Sequence, residues 1–372
     1  MKYYIIAGEA SGDLHGSNLI KELKKIDPNA QVRCWGGDLM LQAGGDLVKH
    51  YRELAFMGFA EVIKNLRTIL KNLKFCKADI LQFQPDALIL IDYPGFNLRI
   101  AKWAKQQALR VIYYISPQVW AWKESRVKQM KKNIDKMIVI IPFEKDYFKE
   151  KWSWEVDYVG HPLVEVIDSY KSRAKGHEAA DDFSSNIVAL LPGSRRQEIE
   201  KKLPIMLEVS KLFPDHQFTI AEAPSVEHDF YQNFTKAYSN VTAVQNQTYD
   251  LLLHSKAALV TSGTATLETA LCGVPEIVCY KGSPISYQIA KRVIKVKYIS
   301  LVNLIMDKAV VKELIQDDLT VENLRKELQD LLTNQTRIAA MKKDYEELRK
   351  MLTKNGNASR QAALAICDFL SK

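Results

Sequence analysis

The sequence predicts an α/β protein built from two Rossmann-like halves, each a parallel sheet flanked by helices. Three observations carry this. Short apolar runs alternate with amphipathic helical stretches from Tyr3 to about Val159, and the alternation restarts at Ile187. Between them, Ser172 to Ser185 is rich in charge, Ala and Ser and poor in apolar residues, which reads as a linker or surface excursion and places the boundary near residues 163 to 186. Finally, 372 residues exceed one ordinary domain, and a hydrophobic content of 47% supplies two cores.

The formal charge of +8 and a pI near 9.0 point to an anionic partner, with nucleic acid, a membrane surface and a phosphorylated substrate all open. The basic residues are not interleaved with aromatics along a sheet face, which argues against RNA. Cys34, Cys76, Cys272, Cys279 and Cys367 form no CxxC pair and no His spacing, so neither a disulfide framework nor structural zinc is expected. Asp-x-Asp, a common metal-diphosphate signature, is absent, and no metal or other cofactor is expected. The N-terminus turns polar at Glu9, too early for a signal peptide, and no run approaches a membrane span. A soluble cytoplasmic protein is expected.

Tyr3 to Ala7 reads as the first buried strand. Gly8-Glu9-Ala10-Ser11-Gly12-Asp13-Leu14-His15-Gly16 follows as a glycine-rich turn into a helix over about Gly16 to Ile26, although it is not the dinucleotide GxGxxG. Gly12 and Gly16 would let a ligand approach the backbone, with Glu9 and Ser11 facing it; a tight capped turn is the alternative. Gln31 to Trp35 is the next strand. Phe56-Met57-Gly58-Phe59 then leads into a helix from about Val62 to Phe83. There Lys64, Arg67, Lys71, Lys74 and Lys77 form a cationic stripe and alternate with apolar Ile63, Leu66, Ile69, Leu70 and Leu73. This is either a membrane-interface element or a core helix with a solvated face.

Ala87 to Ile91 is a strand, and Pro94 and Gly95 force a turn that leaves Asp92 at its carboxyl end, where ligands sit in open α/β sheets. Asp92 suits a general base there, or a helix cap. Arg110 to Ile115 is followed by Ser116-Pro117-Gln118-Val119-Trp120-Ala121-Trp122, whose tryptophans fit sugar or acyl contact or else packing. A basic helix from Lys123 to Lys132, strands Lys136 to Ile140 and Glu155 to Val159, and a helix starting at Pro142 complete this half.

In the second half Ile187 to Leu191 is a strand, and Gly193-Ser194-Arg195 turns toward a helix, with Arg195 well placed for phosphate. Strands follow at Gln217 to Ala221, Val241 to Val244, Ala257 to Val260 and Glu276 to Cys279. The most informative stretch is Thr261-Ser262-Gly263-Thr264-Ala265-Thr266-Leu267-Glu268. A helix entering here aims its unbonded N–H groups and positive dipole end at a ligand above the strand, an anion site suited to diphosphate. Glu268, one turn beyond Thr264, would reach an attached ribose, or the whole is an ordinary helix start with an early acid. The tail from Val321 to Leu352 and from Ser359 to Leu370 is expected to be helical throughout.

Two βα halves, a linker and terminal helices describe the GT-B architecture, two Rossmann-like domains facing a cleft. The expected division is 1–165 for the acceptor and membrane-facing domain, 166–345 for the UDP-sugar domain, and 346–372 for helices packing back on the first, in the same or a partner chain. The motifs Gly8-Glu9-Ala10-Ser11-Gly12-Asp13, Met57-Gly58, Ile91-Asp92-Tyr93-Pro94, Ser116 to Trp122, Pro142-Phe143-Glu144, Val159-Gly160-His161-Pro162, Leu191 to Arg195, Ser262 to Glu268 and Ser300-Leu301-Val302-Asn303-Leu304 resemble the lipid-A-disaccharide synthase family, in its order and over nearly the whole chain.

That resemblance implies an inverting transfer from UDP-2,3-diacylglucosamine to 2,3-diacylglucosamine 1-phosphate, giving the β-1,6-linked disaccharide 1-phosphate and UDP. It implies Asp92 as base on the acceptor 6-hydroxyl, Arg195 on the donor diphosphate, Glu268 on ribose, and Gly193, Ser194, Ser262, Gly263 and Thr264 at the diphosphate. Glu9, Ser11, Gly12, Gln118, Trp120 and Asn303 match acceptor or cleft positions; Phe56, Met57, Phe59, Lys64, Arg67 and Lys71 would meet acyl chains and an anionic inner-membrane surface. A homodimer, peripheral on that membrane and without nucleic acid, is implied. The family often carries Asp-x-Pro-Asp-Phe-Asn where this chain has Gly95, which throws more weight on Asp92, and residues 171 to 185 match nothing in it. The rival enzyme reading is a UDP-N-acetylglucosamine 2-epimerase or peptidoglycan glycosyltransferase with the same nucleotide site. A basic binding module would leave Asp92, Arg195 and Glu268 without a purpose.

Overall fold

The computed structural model describes residues 1–54, 66–174, 186–283, 287, 296–353 and 356–372. Phe56, Met57, Phe59, Lys64 and most of the charged excursion before Ile187 lie outside these residues. The chain divides into two compact units, Met1–Pro162 together with Leu352–Lys372, and Leu163–Met351.

The first unit holds a seven-stranded sheet of β1 (Lys2–Ala7), β2 (Gln31–Gly36), β3 (Asp46–His50), β4 (Ala87–Ile91), β5 (Val111–Tyr114), β6 (Lys136–Val139) and β7 (Asp157–Tyr158), in the order β3-β2-β1-β4-β5-β6-β7. Each neighbouring pair is parallel. β4 is buried along its whole length, as its unbroken Ala-Leu-Ile-Leu-Ile run requires of a strand covered on both faces. Ala7 pairs with Ile91, so the chain leaves β1 and β4 side by side where the strand order reverses.

On one face, the helix Leu66–Phe83 is fixed by a buried polar network. Asp79 accepts from the Tyr4 hydroxyl at 2.6 Å and from Arg33 at 2.7 and 2.9 Å, while the Trp35 indole donates to Tyr4 at 2.8 Å. On the other, the helix Ala358–Leu370 packs on the helix Ala10–Ile26, its Ala362 and Ala363 fully buried. Arg110 donates to the carbonyl of Leu370 at 2.8 Å, and His161 N–H to that of Leu352 at 3.0 Å, which tie the returning chain to this unit.

The second unit repeats the winding with β8 (Ile187–Leu191), β9 (Gln217–Glu222), β10 (Val241–Gln245), β11 (Ser255–Thr261), β12 (Glu276–Tyr280) and β13 (Lys312–Ile315), ordered β10-β9-β8-β11-β12-β13. Here the order reverses between β8 and β11.

Three sequence expectations are corrected. The first helix begins at Ala10, not near Gly16: Glu9 is its extended N-terminal flanking residue, and Ala10-Ser11-Gly12-Asp13 forms its first turn. The edge strands β3 and β13 were not anticipated, because DLVKH and KELI carry no apolar run. The helical tail is interrupted at Asn334, which ends the helix Val321–Thr333 and whose side-chain oxygen accepts from Arg337 N–H at 3.1 Å to start Gln335–Leu352.

Candidate active site

Each unit gathers its chemistry-bearing residues at its own reversal of strand order, the place where open α/β sheets bind ligands. In the first unit Gly8 and Glu9 leave β1, and Asp92 leaves β4. Asp92 and Tyr93 both adopt left-handed backbone, with φ of 42° and 48°, before Pro94 opens the helix Pro94–Gln106 at its favoured first position. Two successive non-glycine residues in this region cost about 1–2 kcal/mol each and persist only where the surroundings impose them.

The surroundings are specific. Asn97, fully buried, donates its amide to the carbonyls of Ile6 (3.3 Å), Ile91 (3.1 Å) and Asp92 (2.8 Å), and the Tyr113 hydroxyl also donates to the Asp92 carbonyl at 2.5 Å. The backbone is thus clamped, and the Asp92 carboxyl is left to the site. Burial, with the nearby negative charge of Glu9 second, raises that carboxyl to about 7. The sequence signal for Asn97 was present in Phe96-Asn97, but its reach to two strand ends was not readable from spacing.

Glu144 is a second acid that sequence reasoning assigned no role. It is buried, accepts from the Trp120 indole at 3.0 Å and from Ile141 N–H at 3.2 Å, and burial raises it to about 8. Trp120 also meets Phe143 edge to face, with centroids 4.9 Å apart. Trp120 is therefore tied into the protein through its indole N–H, whereas Gln118 and Trp122 are exposed.

The glycines act differently from the expectation. A Cβ on Gly12 would lie 3.1 Å from Ala7 Cβ, and one on Gly16 2.6 Å from Met40 Sδ, so both glycines serve close helix packing inside the protein. Asp13 is likewise structural: its carboxylate accepts from the N–H groups of Gly37, Leu39 and Met40 at 2.8, 3.2 and 3.0 Å. Ser11 is exposed on the first turn. Gly95 is also exposed, and a Cβ there meets nothing within 4 Å, so the acid found at this position in the resemblance would have stood on the helix surface.

In the second unit the turn after β8 places Arg195 as the N-terminal flanking residue of the helix Arg196–Ser210, ion-paired with Glu198 at 3.1 Å. The turn after β11 leads through Ser262 and Gly263 into the helix Thr264–Cys272. Among the described residues no side chain caps either helix start, which leaves first-turn N–H groups for a ligand. The Ser262 hydroxyl donates to the Ile299 carbonyl at 2.8 Å, and Gly263 and Thr264 are exposed. Glu268 accepts from the Tyr249 hydroxyl at 2.7 Å, and burial raises its carboxyl. Asn303 faces inward: it is buried, donates to the Val311 carbonyl and Glu313, and accepts from the N–H groups of Val310 and Val311. Its amide is consumed in holding a loop, unlike the ligand contact expected of it.

The family model described as lipid-A-disaccharide synthetase matches residues 3–367. The chain belongs to the lipid-A-disaccharide synthase family. It is 39% identical to the lipid-A-disaccharide synthase of Geobacter metallireducens over 99% of this chain and 97% of that protein. It is 36% identical to the synthase of Coxiella burnetii over 98% of both. Among solved structures the fold is similar to a UDP-GlcNAc 2-epimerase from Neisseria meningitidis bound to UDP-GlcNAc, with a TM-score of 0.70 at 15% identity over 99% of this chain and 100% of that one. It is also similar to the calicheamicin glycosyltransferase, with a TM-score of 0.62 at 14% identity over 100% and 98%. These neighbours establish the GT-B fold of the two parallel-sheet units. Membership of the synthase family makes the protein a glycosyltransferase of lipid A biosynthesis and removes the epimerase as a rival for its activity.

Proposed function

We propose that this synthase-family chain joins UDP-2,3-diacylglucosamine to 2,3-diacylglucosamine 1-phosphate in a single inverting displacement, with Asp92 as base and Arg195 at the donor diphosphate. The observation that carries the reading is the pairing of these two residues with the strand-order reversals of their units. One unit offers a clamped carboxyl raised to about 7, suited to taking a hydroxyl proton near neutral pH. The other offers Arg195 with two uncapped helix starts, suited to the charge that builds on departing UDP. Glu268, with Oε1 engaged by Tyr249, would take the ribose through its other oxygen. The reaction so written calls for no metal.

The test is UDP release by the purified chain. Release should require both acylated substrates together. Turnover of unacylated UDP-N-acetylglucosamine alone would replace this reading with that of an enzyme for soluble sugars.

The acyl chains of both substrates favour work at an anionic membrane face. Among the described residues no helix is long and apolar enough to cross a membrane. The helix Leu66–Phe83 buries Leu73, Cys76 and Ile80 but leaves Leu70, Phe75 and Leu81 about half exposed beside exposed Arg67, Lys71 and Lys74. Exposed Trp122 adds an aromatic surface, with Lys123 Nζ 3.9 Å from its ring centre. At about 1 kcal/mol for each basic residue near such a surface, replacing Arg67, Lys71 and Lys74 by Gln should weaken binding to anionic vesicles about a hundredfold. Binding to zwitterionic vesicles should not change. Equal anionic binding by the triple variant would dismiss this helix as the contact.

A further inference from the structure

Lys202 is a buried lysine that the scheme above does not use. It lies on the helix Arg196–Ser210 with 2% of its surface exposed, and its ammonium donates to the Thr261 hydroxyl. An ammonium has three protons to donate, and among the described residues this one forms no ion pair. The carboxylate acting on it, Glu198, pairs with Arg195 through Oε1 at 3.1 Å and forms no ion pair with Lys202. Burial pulls this ammonium below the usual lysine range, and an anion brought beside it would favour its charged form.

Its place says which anion. Thr261 is the last residue of β11, directly before the Ser262-Gly263 turn. Lys202 Nζ is also 3.5 Å from where a Cβ on Gly193 would stand, in the turn after β8. The ammonium therefore sits one atomic layer beneath both turns of the donor half-site, at the reversal of strand order. Gly193, with φ of 134° and no side chain, leaves that layer thin. Arg195 lies on the surface of the same turn, so cations flank it from outside and from below.

We propose that Lys202 is the fixed buried counter-charge of the donor diphosphate, lowering the cost of placing the phosphates on the two turns and of the charge left on the departing nucleoside diphosphate. This deepens, and rests on, the reading of the second unit as the nucleotide-sugar site. A bare cross-link between a helix and β11 would not need a charge: glutamine would serve as well.

Calorimetric titration of the full chain with UDP and with uridine separates these roles. Lys202→Gln keeps a hydrogen-bond donor for Thr261 and removes the charge; Lys202→Met removes both. Charge-assisted hydrogen bonds are strong enough that both variants should bind UDP about ten- to a hundredfold more weakly. Uridine, which lacks the diphosphate, should bind as to the unaltered chain. Lys202→Met should also unfold at the same temperature or higher, because an unpaired buried charge is gone. Unchanged UDP affinity in Lys202→Gln, while Arg195→Ala loses it, would overturn the assignment, as would equal weakening of UDP and uridine. If the unaltered chain binds no UDP, the donor-site reading falls and this assignment with it.

Discussion

Asp92→Asn should lower kcat by about 10²- to 10⁴-fold, the usual worth of a positioned general base. UDP affinity should stay unchanged, because the residues proposed for the nucleotide belong to the other unit. The same carboxyl should govern the pH dependence. A base acts only when ionised, and burial together with Glu9 holds Asp92 near 7, against about 4 for a free aspartate. The rate should therefore fall as pH drops through 7 and level off above it. Removing the nearby charge in Glu9→Gln should move that limb to lower pH. The sign for stability is opposite. A carboxyl whose folded value is raised penalises the fold once pH exceeds its unfolded value, so Asp92→Asn should unfold at higher temperature than the unaltered chain at pH 8 and match it near pH 4. An Asp92→Asn variant that keeps its rate would remove Asp92 from the chemistry, and an acid limb that stays in place in Glu9→Gln would leave burial alone as the cause of its raised carboxyl.

Arg195→Ala should cost about 10²- to 10³-fold in kcat, comparable with loss of one preorganised donor at a developing anion. The present partner of Arg195 is no obstacle: its pair with Glu198 is largely exposed, and such pairs contribute about 0–1 kcal/mol. A diphosphate, which accepts the planar fork bidentately, should displace it. Lysine offers one point charge in place of that fork, so Arg195→Lys should restore only part of the rate. Steady-state kinetics with both acylated substrates measure this, and full recovery in the lysine variant would show that net charge alone matters there.

The two βα halves and the strand-end positions of Asp92 and Arg195 were legible because they depend on short-range signals: apolar runs closed by Gly or Pro, with a charged side chain within a few residues. β3 and β13 were not, since an edge strand needs no apolar run to pair. Gly12 and Gly16 misled for a related reason. A glycine needed by a ligand and one needed by a neighbouring strand or helix look alike in sequence, and only the fold shows Ala7 and Met40 against them. Asn97, Glu144 and Lys202 escaped because their importance lies in what buries them. A lysine in an EIEKKLP run reads as a solvated charge until the fold turns it beneath Gly193. Asn303 failed in the opposite sense: its motif marked it correctly as special, but the speciality is a loop clamp.

The split composition of the first unit bears on how the protein is made. Its sheet is written into the first 162 residues, yet the helix that covers the Ala10–Ile26 side is Ala358–Leu370, which the ribosome makes only after the whole second unit. Until then the apolar faces that meet Ala362, Ala363 and Ile366 stay uncovered, while the second unit, one continuous stretch, can close first. The nascent chain thus carries an unfinished hydrophobic surface through the synthesis of an entire second unit, and the half bearing Asp92 is sealed only once Ala358–Leu370 has followed that unit.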